Sequence, residues 1–190
     1  MEELKKIITD THKVSITALN DFVAQFEIVS FSKNSILSIP EKKDKYLYFT
    51  ISGVQKAYYF VDKRQCIISF TQANHFTCAP ESFLTQKPSK YYFECITDSK
   101  FYRISYDNFI NQTTKHKDIQ DFLIEALMGL VNNITDRFIK QSTYSIEEKY
   151  KDFMRYNAHL INSIPHKDIA NFLGMNPTNF SKLFNNVVIE

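Results

Sequence analysis

The sequence predicts an α+β fold: an N-terminal antiparallel β-roll of jelly-roll type, one long amphipathic helix, and a C-terminal all-α helix-turn-helix segment. Three observations carry this reading. Between residues 26 and 105, seven short runs rich in β-branched and aromatic residues alternate with polar or glycine breaks, as antiparallel strands do. From residue 118 the apolar side chains recur at alternating four- and three-residue steps with no proline, the period of a helix. Near the end, IPHKDIANFLGMNPTNFSKL places one of only three glycines in the chain between two short amphipathic segments.

Taken in chain order, ALNDFVAQF sets Leu19, Phe22, Val23 and Phe26 at helical spacing and predicts a short helix over 17–25 that feeds into the sheet. The strand runs follow: FEIVSF, SILSI, KYLYFTIS, VQKAYYFV, QCIISF, KYYFECI and KFYRIS. Such short strands at close spacing predict a sandwich or barrel. One segment inside them, ESFLTQKPSK at 81–90, has Glu81, Phe83 and Leu84 followed by Pro88, and suits a single helical turn.

The long helix carries Leu123, Leu127, Leu130 and Ile134 along one stripe, widened by Phe122, Ala126 and Phe138. About 24 residues would span about 36 Å at 1.5 Å per residue. That is more apolar face than a small domain covers, so Leu123, Leu127, Leu130 and Ile134 are the candidate dimer interface, and the element is expected to be a dimerisation helix.

After it, Ser145 and Glu148 stand at capping-box spacing, and Tyr150, Phe153 and Met154 supply the buried face of a new helix. A further helix from Ile164 to Leu173 is entered through Pro165, has Asp168 near its N-terminus, and ends at Gly174. Asn176 and Pro177 then cap and open a last helix, from Thr178 to about Asn185. Ile169, Ala170, Leu173, Phe180 and Leu183 face inward, with small Ala170 where the two helices approach. Thr178, Asn179, Ser181, Lys182 and Asn185 face outward, all able to hydrogen-bond bases or phosphates, and Asn176 lies beside them. The expected domains are a β-roll over 1–114, the long helix over 115–142, and the helix-turn-helix segment over 143–190.

Composition bounds the rest. Apolar and aromatic residues make up 44% of the chain, with 17 Phe and 11 Tyr, enough for a folded core. A net charge of +2 from 23 basic and 21 acidic residues advertises neither nucleic acid nor membrane. Cys66, Cys78 and Cys95 form no CxxC pair and read as small buried hydrophobes. The start, MEELKKIITDTHK, lacks a signal-peptide core, and no run approaches the ~20 apolar residues of a span, so a cytoplasmic protein without a membrane partner is expected. There is no GxSxG elbow or phosphate-cradling glycine loop, and a metal enzyme built on a roll would need several converging histidines. Only His75 lies among the strands; His12, His116, His159 and His166 are spread elsewhere. No catalytic residue, metal or cofactor is expected.

The order of these pieces resembles a CRP/FNR-type transcription regulator across essentially the whole chain. The likeness is carried by YLYFTISGVQKAYY around Gly53, by the ESFLTQKPS turn before the closing strands that end at FYRIS, and above all by IPHKDIANFLGMNPTNFSKL. The resemblance implies a cyclic-nucleotide-binding-like sensor domain, a homodimer, double-stranded DNA as partner and RNA polymerase as a further one, with an unknown small-molecule effector. Members that bind cyclic AMP carry Gly-Glu and, about ten residues on, Arg followed by Ser or Thr. Here the arginine slot falls at Ser89 and its neighbour at Lys90, with no Gly-Glu before them. Glu81, Ser82, Lys87, Ser89 and Lys90 are the candidate ligand-binding residues, and the effector is expected not to be cyclic AMP. Family members continue past the recognition helix into a wing. This sequence has only NNVVIE there, so the wing is expected to be reduced or absent, with at most a stub strand over Val187 to Ile189. The competing expectation is a signalling or adaptor protein that kept the architecture and lost ligand and DNA binding.

Overall fold

A computed structural model describes residues 1–186 of the chain. It divides into two compact units, one formed by Met1–Ala57 with Phe70–Leu130, the other by Tyr58–Ser69 with the chain from Val131 onward. These limits differ from boundaries at 114/115 and 142/143: the long helix is shared between the units, and the tip of one hairpin groups with the C-terminal helices.

The first unit opens with helices α1 (Glu2–Thr11) and α2 (Ile16–Val23), the latter capped by Ser15, whose hydroxyl accepts from the Ala18 N–H. The strands are β1 (Glu27–Phe31), β2 (Ile36–Ser38), β3 (Tyr46–Ser52), β4 (Gln55–Val61), β5 (Arg64–Thr71), β6 (Phe76–Thr77), β7 (Tyr92–Cys95) and β8 (Ser99–Ser105), with a single-turn helix α3 (Pro80–Thr85) between β6 and β7. They form two four-stranded sheets in the orders β1-β8-β3-β6 and β2-β7-β4-β5. The pairings of β1 and β3 with β8, of β3 with β6 and of β2 with β7 are all antiparallel. The fold class is the expected one.

Two-residue alternation divides the interior. On β3, Phe49 joins Leu4, Ile8, Phe22, Phe83, Ile104, Phe109, Ile119 and Phe122 in one core, while neighbouring Tyr48 turns to the other face with Cys95 and Phe101. Gly53 makes the corner between β3 and β4 at φ +96°, where a Cβ would lie 2.6 Å from the Asp98 carbonyl oxygen and 2.8 Å from the Ser99 Cα. Only glycine fits both the left-handed backbone and the space.

Several elements had no strand or helix expectation, β6 and α1 among them. β6 is two residues long, too short for an alternating pattern to register. Helix α1 has Leu4 and Ile8 fully buried, an i, i+4 pair that the residues MEELKKII do carry. After α4 (Tyr106–Lys115), capped by Ser105, the long helix α5 runs from Lys117 to Thr143, 27 residues or about 40 Å.

The second unit contains the C-terminal half of α5, α6 (Ile146–Asn157), a 3-10 turn at Ala158–Leu160, α7 (His166–Phe172) and α8 (Pro177–Asn186). The capping box at the start of α6 is formed: the Glu148 N–H donates to Ser145 Oγ at 3.2 Å and the Ser145 N–H to Glu148 Oε2 at 2.7 Å. Tyr150, Phe153 and Met154 are buried, as their spacing requires. The stub strand expected at Val187–Ile189 lies outside the described residues.

Candidate nucleic-acid interface

The corner between α7 and α8 is built by the backbone. The Met175 N–H donates to the Ala170 carbonyl at 2.9 Å and the Gly174 N–H to that of Asn171 at 3.0 Å, the two bonds of a Schellman motif. Gly174 sits at φ +72°, the left-handed conformation this motif needs. Asn176 then caps α8, its Oδ1 accepting from the Asn179 N–H at 2.8 Å, and Pro177 fills the first turn. Ile169, Ala170, Leu173, Met175 and Phe180 are buried, and the Phe180 ring meets Tyr150 edge-on at 5.7 Å. Leu183 is half-buried.

This packing leaves Thr178, Ser181, Lys182 and Asn185 exposed and Asn179 half-exposed on α8. Asn176 is brought to the same end, but its side-chain oxygen already accepts one bond as the cap, which leaves its amide N–H groups and one oxygen lone pair for a partner. The surface is polar and weakly charged, since residues 146–190 hold five Lys or Arg against five Asp or Glu.

No local residue pattern hints at what fixes α7. Asn171 Nδ2 donates to the Gln65 carbonyl at 2.7 Å, and the Ile67 N–H donates to Asn171 Oδ1 at 2.8 Å, so both ends of one amide hold the backbone of β5. A strand's free backbone groups have no side-chain signature, and Asn171 reads in sequence as an ordinary polar helix position. A second tie joins α5 to α6: Lys140 Nζ donates to both Asp152 oxygens at 2.9 Å, and this bonding raises the lysine above its ordinary pKa.

The residues expected around the sensor turn are brought together on and beside α3, where most already have partners within the chain. Ser82 is buried; its hydroxyl donates to the Lys87 carbonyl at 2.7 Å and accepts from the Asp44 N–H at 3.0 Å. Ser89 is buried, donating to the Tyr91 carbonyl and accepting from the Tyr91 N–H, both at 3.1 Å. Glu81 and Lys90 are exposed and pair with each other at 3.4 Å, while Lys87 is exposed. Beneath them Asp44 accepts from Ser38 Oγ at 2.6 Å and the Ala79 N–H at 2.9 Å, and burial pushes its carboxyl up. His75 is exposed, its Nδ1 2.9 Å from the Ala73 carbonyl.

On α5 the stripe is offset from the expected one. Leu123 packs against the first unit's own core, and Leu127 is half-buried. Ile124, Met128 and Leu130 are exposed in the first unit; Val131, Ile134 and Phe138 are exposed in the second, Phe138 by 70%. Ile124, Leu127, Val131, Ile134 and Phe138 follow three- and four-residue steps, the spacing that coiled coils use. The core-facing residues and this stripe lie side by side, which periodicity alone blurs. Among the described residues no helix is long and apolar enough to cross a membrane.

No protein-family model matches the sequence, and no curated protein matches it. Solved structures do. FixK2 from Bradyrhizobium japonicum superposes with a TM-score of 0.73 at 13% identity, over 84% of this chain and 83% of that one. The c-di-GMP-responsive global regulator CLP of Xanthomonas campestris gives 0.65 at 14% identity over 90% of both chains. The catabolite activator protein of Thermus thermophilus gives 0.59 at 12%, over 94% of this chain and 85% of that one. From its paired sheets through its long helix to its helical hairpin, the chain has the fold of the CRP/FNR-type regulators, with their cyclic-nucleotide-binding-like domain.

Proposed function

We propose that this protein is a DNA-binding transcription regulator that acts as a cytoplasmic homodimer. The observation that carries the reading is the α7–α8 hairpin: a Schellman corner, a capped second helix, and a solvent face of Thr178, Asn179, Ser181, Lys182 and Asn185 left by the burial of Phe180. A helix held in this way enters the major groove with its N-terminal residues toward base edges. Asn179 is suited to adenine, which favours an A·T-containing site, and Lys182 to a guanine or a phosphate. Pairing along the α5 seam supplies two such helices for successive major grooves about 34 Å apart, and RNA polymerase is the further partner such a regulator would engage.

The effector, if the first unit takes one, is not cyclic AMP. Ser89 stands where the phosphate-gripping arginine would be, and Ser82 and Ser89 are bonded within the chain. The same observation favours the second reading, an adaptor that kept the architecture without ligand or DNA binding. No step of a reaction is assigned to any residue.

Selection from a library of genomic fragments separates the two readings. A regulator enriches one two-fold-related motif whose half-sites lie about one helical turn apart. Recovery of no enriched motif would support the adaptor.

A further inference from the structure

The second unit contains a cavity of about 250 Å³ walled by the C-terminal half of α5, α6 and the end of α7. Its volume lies just below the range typical of drug-sized ligands. Neither the DNA-facing side of α8 nor the sensor turn contributes to it. Its walls combine the apolar side chains of Phe153, Phe172 and Leu173 with the charged ends of Arg137, Lys140 and Asp152.

Arg137 distinguishes the site. Its guanidinium lies over the Phe172 ring with Cζ 4.2 Å from the ring centre, and a guanidinium carries its five N–H donors in its own plane, as a fork. Burial lowers its pKa, so its charge is partly stripped of water. Lys140, one turn along, is held by both oxygens of Asp152, but Arg137 has no ion pair with any described residue. A half-buried guanidinium without a counter-ion is an unusual and costly arrangement, and an arriving anion would offset that cost. Its fork matches a carboxylate, which it can grip with two parallel bonds.

The charge count selects the kind of anion. Arg137, Lys140 and Lys149 face Asp136 and Asp152 around the cavity, a surplus of one positive charge. A dianion such as phosphate would meet the two carboxylates with repulsion; a monoanion neutralises the surplus. The apolar wall calls for a hydrocarbon or aromatic body attached to it.

We propose that this cavity binds a small organic monocarboxylate, its carboxylate held by Arg137 and its body packed on Phe153 and Leu173. Such a ligand would bridge α5 to the helices that carry the hairpin, whichever partner the hairpin serves.

The test is calorimetric titration of the full chain, without DNA, using sodium benzoate as probe at fixed ionic strength. Benzamide serves as the neutral isostere and inorganic phosphate as the dianionic control. Benzoate is expected to bind saturably, one per chain, and at least about tenfold more tightly than benzamide or phosphate, the loss expected when one charge-assisted bidentate contact is removed. Arg137→Met should weaken benzoate by about tenfold or more, and Arg137→Lys, which keeps the charge and stem and guards against a folding defect, should also weaken it because an ammonium lacks the fork. Circular dichroism confirms the fold of both variants. Absence of saturable benzoate binding to the wild-type chain, benzamide binding equal to benzoate, tighter phosphate binding, or undiminished affinity in either folded variant would each overturn the proposal. Because no DNA is present, none of these outcomes bears on the DNA-binding reading.

Discussion

In the first unit, buried polar side chains bond one another. Thr50 Oγ1 donates to Gln55 Oε1 and lies 3.2 Å from Thr77 Oγ1, Gln55 Nε2 donates to Ser99 Oγ, and Ser99 Oγ donates to the Thr97 carbonyl. Gln112 Oε1 is the one buried side-chain oxygen without a partner among the described residues. The second unit is arranged differently. Val131, Ile134 and Phe138 stand exposed along α5, Arg137 has no ion pair with any described residue, and α8 turns a row of amides, hydroxyls and one ammonium to solvent. A buried network in which all but one such group is bonded rigidifies a fold. Groups that a fold leaves uncovered are where partners act.

The contrast is broken most severely by damaging the rigid half. Gly53→Ala is expected to have the largest effect, because the new methyl would meet backbone atoms at 2.6 and 2.8 Å at a positive φ. A loss of about 3 kcal/mol or more, or failure to fold, should appear in urea titration. A wild-type midpoint would mean that the β3–β4 corner is looser than described.

The next largest effect concerns the exposed stripe. Leu127→Glu combined with Ile134→Glu should convert a dimer to monomers in light scattering while leaving the circular dichroism unchanged, since Ile134 is 58% exposed and Leu127 half-exposed within one chain. Leu123→Glu should instead destabilise the first unit, because Leu123 packs on its core. If the double variant remains dimeric, the seam is assigned to the wrong face.

These two variants also mark what the residues could tell in advance. The strand runs, the capping box at Ser145, the Gly174 corner and the Asn176 cap are local chemistry, and local chemistry is written in a few adjacent residues. Leu123 was legible as apolar and helical, but not as core rather than seam, because both faces of α5 are apolar and the angle between them depends on what packs nearby. Ser82 and Ser89 were legible as polar residues in a turn; that their hydroxyls close on backbone carbonyls depends on how α3 folds back. Asn171 and Arg137 could not have been found, since one acts on a strand over a hundred positions away and the other stands out only by having no ion pair with any described residue.

Asn171→Ala sharpens the comparison from the other side. It removes both bonds to β5, and the cost should be about 1–3 kcal/mol for the backbone groups left behind. Hydrogen exchange at the Ile67 amide should accelerate in the variant; unchanged protection there would show that the clamp is dispensable. Smallest of all, Gly129→Ala should stabilise the chain by up to about 1 kcal/mol, because Gly129 lies in a helix interior with nothing within 4 Å of its missing Cβ. Thermal unfolding checks this, and a loss of stability would place an unseen neighbour against that face.

The central claim, that the uncovered face of α8 reads DNA, is tested most directly by measuring the affinity of wild type, Asn179→Ala and Lys182→Ala for the enriched fragment and for unrelated DNA at two salt concentrations. Asn179→Ala should cost about 1–3 kcal/mol on the enriched fragment and nothing on unrelated DNA. Lys182→Ala, if the ammonium meets a phosphate, should weaken both alike and reduce the salt slope by about one. Affinities indifferent to both substitutions at both salt concentrations would contradict the account, and would leave the α7–α8 hairpin as a packing element in an adaptor.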